Sequence, residues 1–107
     1  MKIINLHRGQ GKSTFLIMES SFNQKPIICA SEFNKKNLME KANRMGFTIP
    51  EPITIHELMH NKGQKNTFLI DELGMVLNVL FKELDIDVDI AMMTAYNTET
   101  EDFEKRK

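Results

Sequence analysis

The sequence predicts an α/β domain in which a mostly parallel sheet of about five strands is covered by helices on both faces, as a three-layer sandwich. Apolar segments of strand length alternate along the chain with segments of helical periodicity. Parallel neighbours need crossover connections, and right-handed crossovers place helices over the sheet. A glycine-rich stretch also separates the first apolar segment from the first helical one.

The first half of the chain predicts two strands, each followed by a helix. Residues 1–6 form a short apolar run, and from Ser13 the apolar residues recur with a period near 3.6. Residues 25–30 form a second apolar run. Residues 34–45 then repeat apolar side chains at i, i+4 and i+7, and Gly46 ends this helix. The apolar stripe of the first helix comprises Phe15, Met18 and Phe22.

The second half repeats the alternation after two prolines. Residues 53–61 predict a short strand that passes into one or two helical turns. Residues 66–72 form an apolar strand that ends in two acids. The strongest helical periodicity follows over residues 73–84, where six apolar side chains form one stripe. A strand over residues 88–95 completes a domain of residues 1–97, and a charged tail of residues 98–107 follows it.

The composition is that of one globular domain. The chain has 107 residues, of which 41% are hydrophobic and 27% charged, and its formal net charge is -1. This balance does not favour nucleic acid as a partner, although it leaves room for a local basic patch. Cys29 is the single cysteine, so there is no disulfide framework. No signal-peptide core or run of about twenty apolar residues occurs, and we expect a cytoplasmic protein that does not enter a membrane.

The stretch HRGQGKST predicts a phosphate-binding loop. It lacks the first glycine of the pattern G-x-x-x-x-G-K-[ST], because Leu6 stands at that position. Gly9 and Gly11 allow backbone N–H groups to approach a phosphate closely, and the following helix adds its positive N-terminal end. Lys12 would reach the β- and γ-phosphates, and the hydroxyl of Ser13 would ligate Mg²⁺. The predicted nucleotide-binding residues are Gly9, Gln10, Gly11, Lys12, Ser13 and Thr14.

Two acids at the end of the strand over residues 66–72 predict the metal site and the catalytic group. Mg²⁺ prefers oxygen ligands, so Asp71 is predicted to join Ser13 as its ligand. Glu72 would orient or deprotonate an attacking water. A polar residue after the last strand, Thr94 or Asn97, is a candidate sensor of the γ-phosphate. The alternative for the two acids is a solvated strand-to-helix cap.

These residues carry a resemblance to the P-loop NTPases over about residues 1–95. The branch is the one with an extra catalytic glutamate after the Walker B aspartate, which holds RecA-like ATPases, helicases and phage packaging motors. The segment PITIHEL resembles the short strand that precedes Walker B in helicase motor domains. The loop, with Arg8 four residues before Lys12, is similar to the deviant Walker A of phage large-terminase ATPases.

The resemblance implies ATP and Mg²⁺ as ligands, a catalytic action of Arg8 on the γ-phosphate, and a phage or mobile-element origin. The small size of the chain departs from the motor families and argues against DNA translocation. The sequence therefore predicts a minimal P-loop domain that binds a nucleoside triphosphate, with slow hydrolysis through Glu72 as the enzymatic hypothesis. The alternative is a non-catalytic scaffold that inhibits or regulates a larger host protein. We also expect self-association or partner binding at residues 1–6, as an exposed sheet edge.

A competing motif, HELMH, matches the zinc-protease pattern H-E-x-x-H. In that pattern His56 and His60 hold Zn²⁺ and Glu57 acts as the base. The helix predicted here is very short. No histidine follows His60, which leaves Glu72 or Glu83 as a third ligand. A zinc hydrolase is therefore a remote alternative to nucleotide binding.

Overall fold

The fold is that of a computed structural model, which describes residues 3–5, 11–60, 67–90, 92 and 100–102. Helices make up most of its regular structure. No helix in these ranges has both the length and the apolar character needed to cross a membrane. The elements in chain order are β1 (Ile3–Asn5), α1 (Lys12–Asn23), β2 (Ile27–Cys29), α2 (Glu32–Met45), β3 (Ile53–Thr54), α3 (Ile55–His60), β4 (Leu69–Ile70), α4 (Leu73–Glu83) and β5 (Thr100–Asp102).

The predicted three-layer sandwich around a sheet of about five strands is wrong. The described strands form one parallel sheet of three, in the order β3-β2-β4, and a separate parallel pair of β1 and β5. In the larger sheet Ile28 pairs with Ile53 on one side and with Ile70 on the other. The sheet is small because each of its strands pairs over only two or three residues. The apolar runs in the sequence are longer than the segments that find a hydrogen-bonding partner.

The end of the chain also differs from the prediction. Residues 88–90, where the predicted last strand begins, have no regular structure. Asp87 and Asp89 flank Val88 there, and aspartate is unfavourable in strands. The rest of that predicted strand lies outside the described residues, except residue 92. β5 lies instead in the segment predicted as a charged tail, and it pairs with β1 apart from the three-stranded sheet.

β2 contributes to the core on both of its faces. Successive side chains of a strand point to opposite sides, so Ile27 and Cys29 pack with α1 and α2, whereas Ile28 packs with α3 and α4. Burial raises the pKa of the Cys29 thiol to about 11, so this cysteine stays protonated at neutral pH. The buried hydrophobic residues from the helices are Ile17, Leu38, Ala42, Ile55 and Val76.

α1 buries a different face from the predicted stripe. Ile17 and Ser20 are fully buried, whereas Met18 and Phe22 are exposed. The Ser20 hydroxyl donates to the carbonyl of Lys25 at 2.7 Å, which satisfies this buried polar group. The buried face of α1 therefore combines an apolar side chain with a hydrogen-bonded hydroxyl.

The ends of α2 follow local signals in the sequence. Ser31 caps the first turn, where its side chain accepts a hydrogen bond from the Asn34 N–H at 3.3 Å. Gly46 follows the last turn with φ 79°, in the left-handed region that glycine enters without strain. Its N–H bonds back to the carbonyls of Ala42 and Asn43. The predicted end of this helix at Gly46 is confirmed.

Candidate functional site

Three of the predicted site residues line one groove of about 420 Å³: Ser13, Asp71 and Glu72. Ser13 lies in the first turn of α1, and the two acids connect β4 to α4. β2 and β4 run parallel, so the residues after their carboxyl ends emerge at the same edge of the sheet. α2, which follows β2, supplies the opposite wall of the groove. Its lining side chains include Asn34, Asn37, Glu40, Lys41 and Arg44.

An ion pair connects the predicted loop lysine to the predicted catalytic acid. The Nζ atom of Lys12 lies 2.5 Å from Oε1 of Glu72, although 60 positions separate the two residues in the chain. The side chains are 36% and 42% exposed, respectively. Ion pairs with this much exposure contribute about 0–1 kcal/mol to stability. The contact matters mainly because it places an ammonium group beside the two acids.

The residue before α1 has a backbone conformation that suits a glycine loop. Gly11 is the N-cap residue of α1 and has φ 79° and ψ 30°. A Cβ atom there would meet only Thr14 at 3.9 Å, so the positive φ rather than a lack of space favours glycine. Glycine has no side chain that could accept a hydrogen bond from the N–H groups of the first turn, so α1 has no side-chain cap. The first turn of α1 therefore presents the partial positive charge of a helix N-terminus without a capping side chain.

Asp71 is a half-buried carboxylate in an unfavourable electrostatic environment. Burial raises its pKa, and the negative charge of Glu72 raises it further. The positive charges of Lys12 and Lys41 oppose this effect. The backbone N–H of Asp71 donates to the carbonyl of Ile28 at 3.1 Å, but its carboxylate accepts no hydrogen bond in the described part of the chain. A carboxylate in this situation is suited to bind a cation.

Glu72 has a left-handed backbone, which is uncommon for a residue other than glycine. Its φ is 57° and its ψ 70°, and it is the N-cap residue of α4 without a side-chain cap. Non-glycine residues in this region cost about 1–2 kcal/mol, and such conformations concentrate at functional sites. The carboxylate of Glu72 contacts Lys12 instead of capping its own helix. Glu72 thus occupies the strand-to-helix position of the alternative interpretation, with a 42% exposed side chain that contacts Lys12 and makes no cap hydrogen bond.

The glutamate of the zinc motif has a structural role. Glu57 and Thr54 form a capping box at the start of α3: the Thr54 N–H donates to Glu57 Oε1 at 3.0 Å, and the Glu57 N–H donates to Thr54 Oγ1 at 3.1 Å. Lys35 Nζ lies 3.1 Å from the same carboxylate. The hydrogen bond from Thr54 and that from Lys35 lower the pKa of Glu57. The T-x-x-E spacing is the sequence signal of this cap.

The two histidines of that motif also have protein partners. His56 Nδ1 lies 3.1 Å from Glu83 Oε1, and His60 Nδ1 lies 2.8 Å from the carbonyl oxygen of His56. Among the described residues, no group of three or more histidine, cysteine, aspartate or glutamate side chains is arranged to hold a metal ion. The arrangement at α3 therefore does not favour the zinc alternative.

The remaining predicted residues divide into two groups. Thr14 is half-buried in the first turn of α1 and does not line the groove. The others lie outside the described residues: Arg8, Gly9, Gln10, Thr94 and Asn97.

Sequence reasoning missed the contribution of α2 to the groove. The cations of that wall, Lys41 and Arg44, are three positions apart in a polar helix. This spacing places them on neighbouring positions of the helix surface, as it would on any solvated face. No signal in the sequence distinguishes a groove wall from such a face.

Comparisons of the chain with models of protein families, with curated proteins and with solved structures found no match. The residues around the groove therefore carry the functional conclusion.

Proposed function

We propose that this protein binds a nucleoside triphosphate, ATP in the first instance, together with Mg²⁺ in the groove between α1 and α2. The observation that carries the proposal is the convergence of a lysine, a hydroxyl and two carboxylates from distant parts of the chain. Lys12 contacts Glu72, and Ser13 lines the same groove as Asp71 and Glu72. These are the groups that the P-loop NTPases, which the loop resembles, use for phosphate and magnesium.

Each group has a distinct role in this proposal. The first turn of α1 attracts the phosphates through its N–H groups and its positive end, and Gly11 allows them to approach closely. Ser13 and Asp71 hold Mg²⁺, which neutralises phosphate charge when it is bound. The half-buried carboxylate of Asp71, without a hydrogen bond from the described residues, fits a ligand of this hard cation. Arg8 and the glycine loop before Gly11 are expected to complete the phosphate contacts.

Nucleotide binding requires a change of partner for Lys12. In the free protein its ammonium group is paired with Glu72, and a phosphate would take the place of that carboxylate. Glu72, released from the ion pair, would then accept a proton from water in a slow hydrolysis. Binding without turnover would instead favour the non-catalytic scaffold, in which the nucleotide regulates contact with a larger protein.

A thermal-shift titration with ATP, in the presence and absence of Mg²⁺, tests the proposal. At a free ATP concentration one hundred times the Kd, binding should stabilise the protein by about 2.7 kcal/mol through mass action. Lys12→Ala should abolish this stabilisation. Lys36→Ala is the matched control, because it removes an exposed lysine from α2 that does not line the groove. If no nucleoside triphosphate stabilises the wild-type protein, nucleotide binding is ruled out.

A further inference from the structure

The wall of the groove that α2 forms is a polar stripe with two cations. Asn37, Lys41 and Arg44 occupy positions i, i+4 and i+7 of this helix, and all three line the groove. With a rise of about 1.5 Å per residue, this stripe extends about 10 Å along the groove. The stripe therefore lines the same groove as Ser13, over a length comparable with several phosphate groups.

Neither cation of this stripe has an anionic partner among the described residues. The ion pairs of other lysines are formed elsewhere: Lys12 pairs with Glu72, and Lys35 pairs with Glu51 and Glu57. Lys41 and Arg44 form no ion pair within the described ranges, although both line a groove that contains carboxylates. Lys41 is half-buried, and Arg44 is exposed.

An anion that binds in the groove needs the positive charges of Lys41 and Arg44, because carboxylates also line the groove. Glu40, Asp71 and Glu72 line the groove and would repel a phosphate. Lys12 compensates one of these charges in the free protein. Lys41 and Arg44 line the same groove as Asp71, the proposed magnesium ligand.

We propose that Lys41 and Arg44 bind the terminal phosphates of the nucleotide from the α2 side, so that the groove prefers a nucleoside triphosphate to a diphosphate. This inference rests on the proposed nucleotide binding and assigns a second phosphate-binding element to that site. The phosphates are held between two elements: the first turn of α1 with Lys12, and the cationic stripe of α2. Arg44 offers a planar fork of donors that matches phosphate oxygens, and Lys41 acts as a point charge.

Calorimetric titration of MgATP and MgADP into matched variants tests this inference. Lys41→Gln and Arg44→Gln remove one positive charge each and keep a long side chain. Lys36→Gln makes the same change on the same helix, at an exposed position that does not line the groove. Each groove variant should weaken MgATP binding by about tenfold or more, the usual effect of losing a charge-assisted hydrogen bond. MgADP binding should weaken less, and Lys36→Gln should bind both nucleotides like the wild type.

The outcomes distinguish the two proposals. If the wild type binds MgATP and both groove variants bind it equally tightly, the role of the α2 stripe is wrong and nucleotide binding stands. An equal loss of MgATP and MgADP affinity would contradict recognition of the terminal phosphate. If the wild type binds neither nucleotide, the proposed function fails, and the role of α2 fails with it. Circular dichroism and melting of each free variant establish that a loss of binding does not reflect unfolding.

Discussion

Lys12 and Glu72 form an ion pair with a separation of 2.5 Å between Nζ and Oε1, and this contact joins the start of α1 to the start of α4. It brings the lysine of the glycine loop to the acids that follow β4. A bound nucleotide would change this contact, because its phosphate would compete with Glu72 for the ammonium group of Lys12. If a nucleotide binds as proposed, Lys12 must exchange its carboxylate partner for a phosphate.

Glu72→Gln separates binding from hydrolysis. The neutral amide of the variant cannot form an ion pair with Lys12, so Lys12 is available to a phosphate. We therefore expect MgATP to bind at least as tightly as it does to the wild type. Turnover should fall by about 10² to 10⁴, the usual effect of losing a positioned general base. A phosphate-release assay with a parallel titration measures both quantities. Equal turnover in the variant and the wild type, including none in either, would contradict a hydrolytic role of Glu72.

Asp71→Asn should stabilise the ligand-free protein at neutral pH and remove its response to Mg²⁺. Burial raises the pKa of Asp71 above its ordinary value of 3.8, so the folded state binds this proton more tightly than the unfolded state does. The stability of the wild type therefore falls as the pH rises through the interval between the unfolded and the folded pKa. Above that interval the full cost of the buried charge is present.

Melting curves of the wild type and Asp71→Asn between pH 3 and pH 7 measure this difference. The variant should melt at a higher temperature at pH 7, and the two proteins should converge near pH 3. The stabilisation by ATP that depends on Mg²⁺ should be lost in the variant. A variant that melts at a lower temperature at pH 7 would indicate that Asp71 is a structural residue and not a metal ligand.

The capping box at α3 should contribute measurably to stability. Thr54→Ala and Glu57→Ala should each destabilise the protein by about 1 kcal/mol, the typical value of a helix cap. The double variant should lose less than the sum, because the two residues share hydrogen bonds. Chemical denaturation of the four proteins gives the coupling free energy. Strict additivity would contradict a reciprocal cap.

The contribution of Glu57 also has a predicted pH dependence. Hydrogen bonds from Thr54 and Lys35 lower the pKa of Glu57 below its ordinary value of 4.5. Its ionised form is therefore favoured in the folded state, so the stabilisation is complete above the unfolded pKa. It disappears as the pH falls through the lower, folded pKa. Glu57→Gln should destabilise the protein at pH 7, and this effect should diminish as the pH falls below 4.5.

Zinc should not be a stoichiometric component of the protein. Elemental analysis of protein purified without a histidine tag should find well under one zinc ion per chain. His56→Ala combined with His60→Ala should keep the fold, since both residues are exposed on a six-residue helix. Stoichiometric zinc that is lost in the double variant would favour the metal motif over the capping box.

The sequence by itself determined features that depend on near neighbours in the chain. Ser31 and Gly46 terminate α2 through hydrogen bonds within a few residues, and both positions are readable from the residue types. The helix over residues 73–83 follows from its apolar period. The T-x-x-E spacing at Thr54 and Glu57 was equally local, although the zinc motif that overlaps it suggested another role.

Only the tertiary structure decided which distant groups meet. The sequence placed Lys12 and Glu72 at the ends of two elements, but the packing of those elements determined their contact across 60 positions. The extent of the sheet was also beyond local signals, because a strand forms only where a neighbouring backbone supplies hydrogen bonds. Lys41 and Arg44 resemble residues of any solvated helix face. Their place in the groove depends on how α2 packs against β2, which is a property of the assembled core.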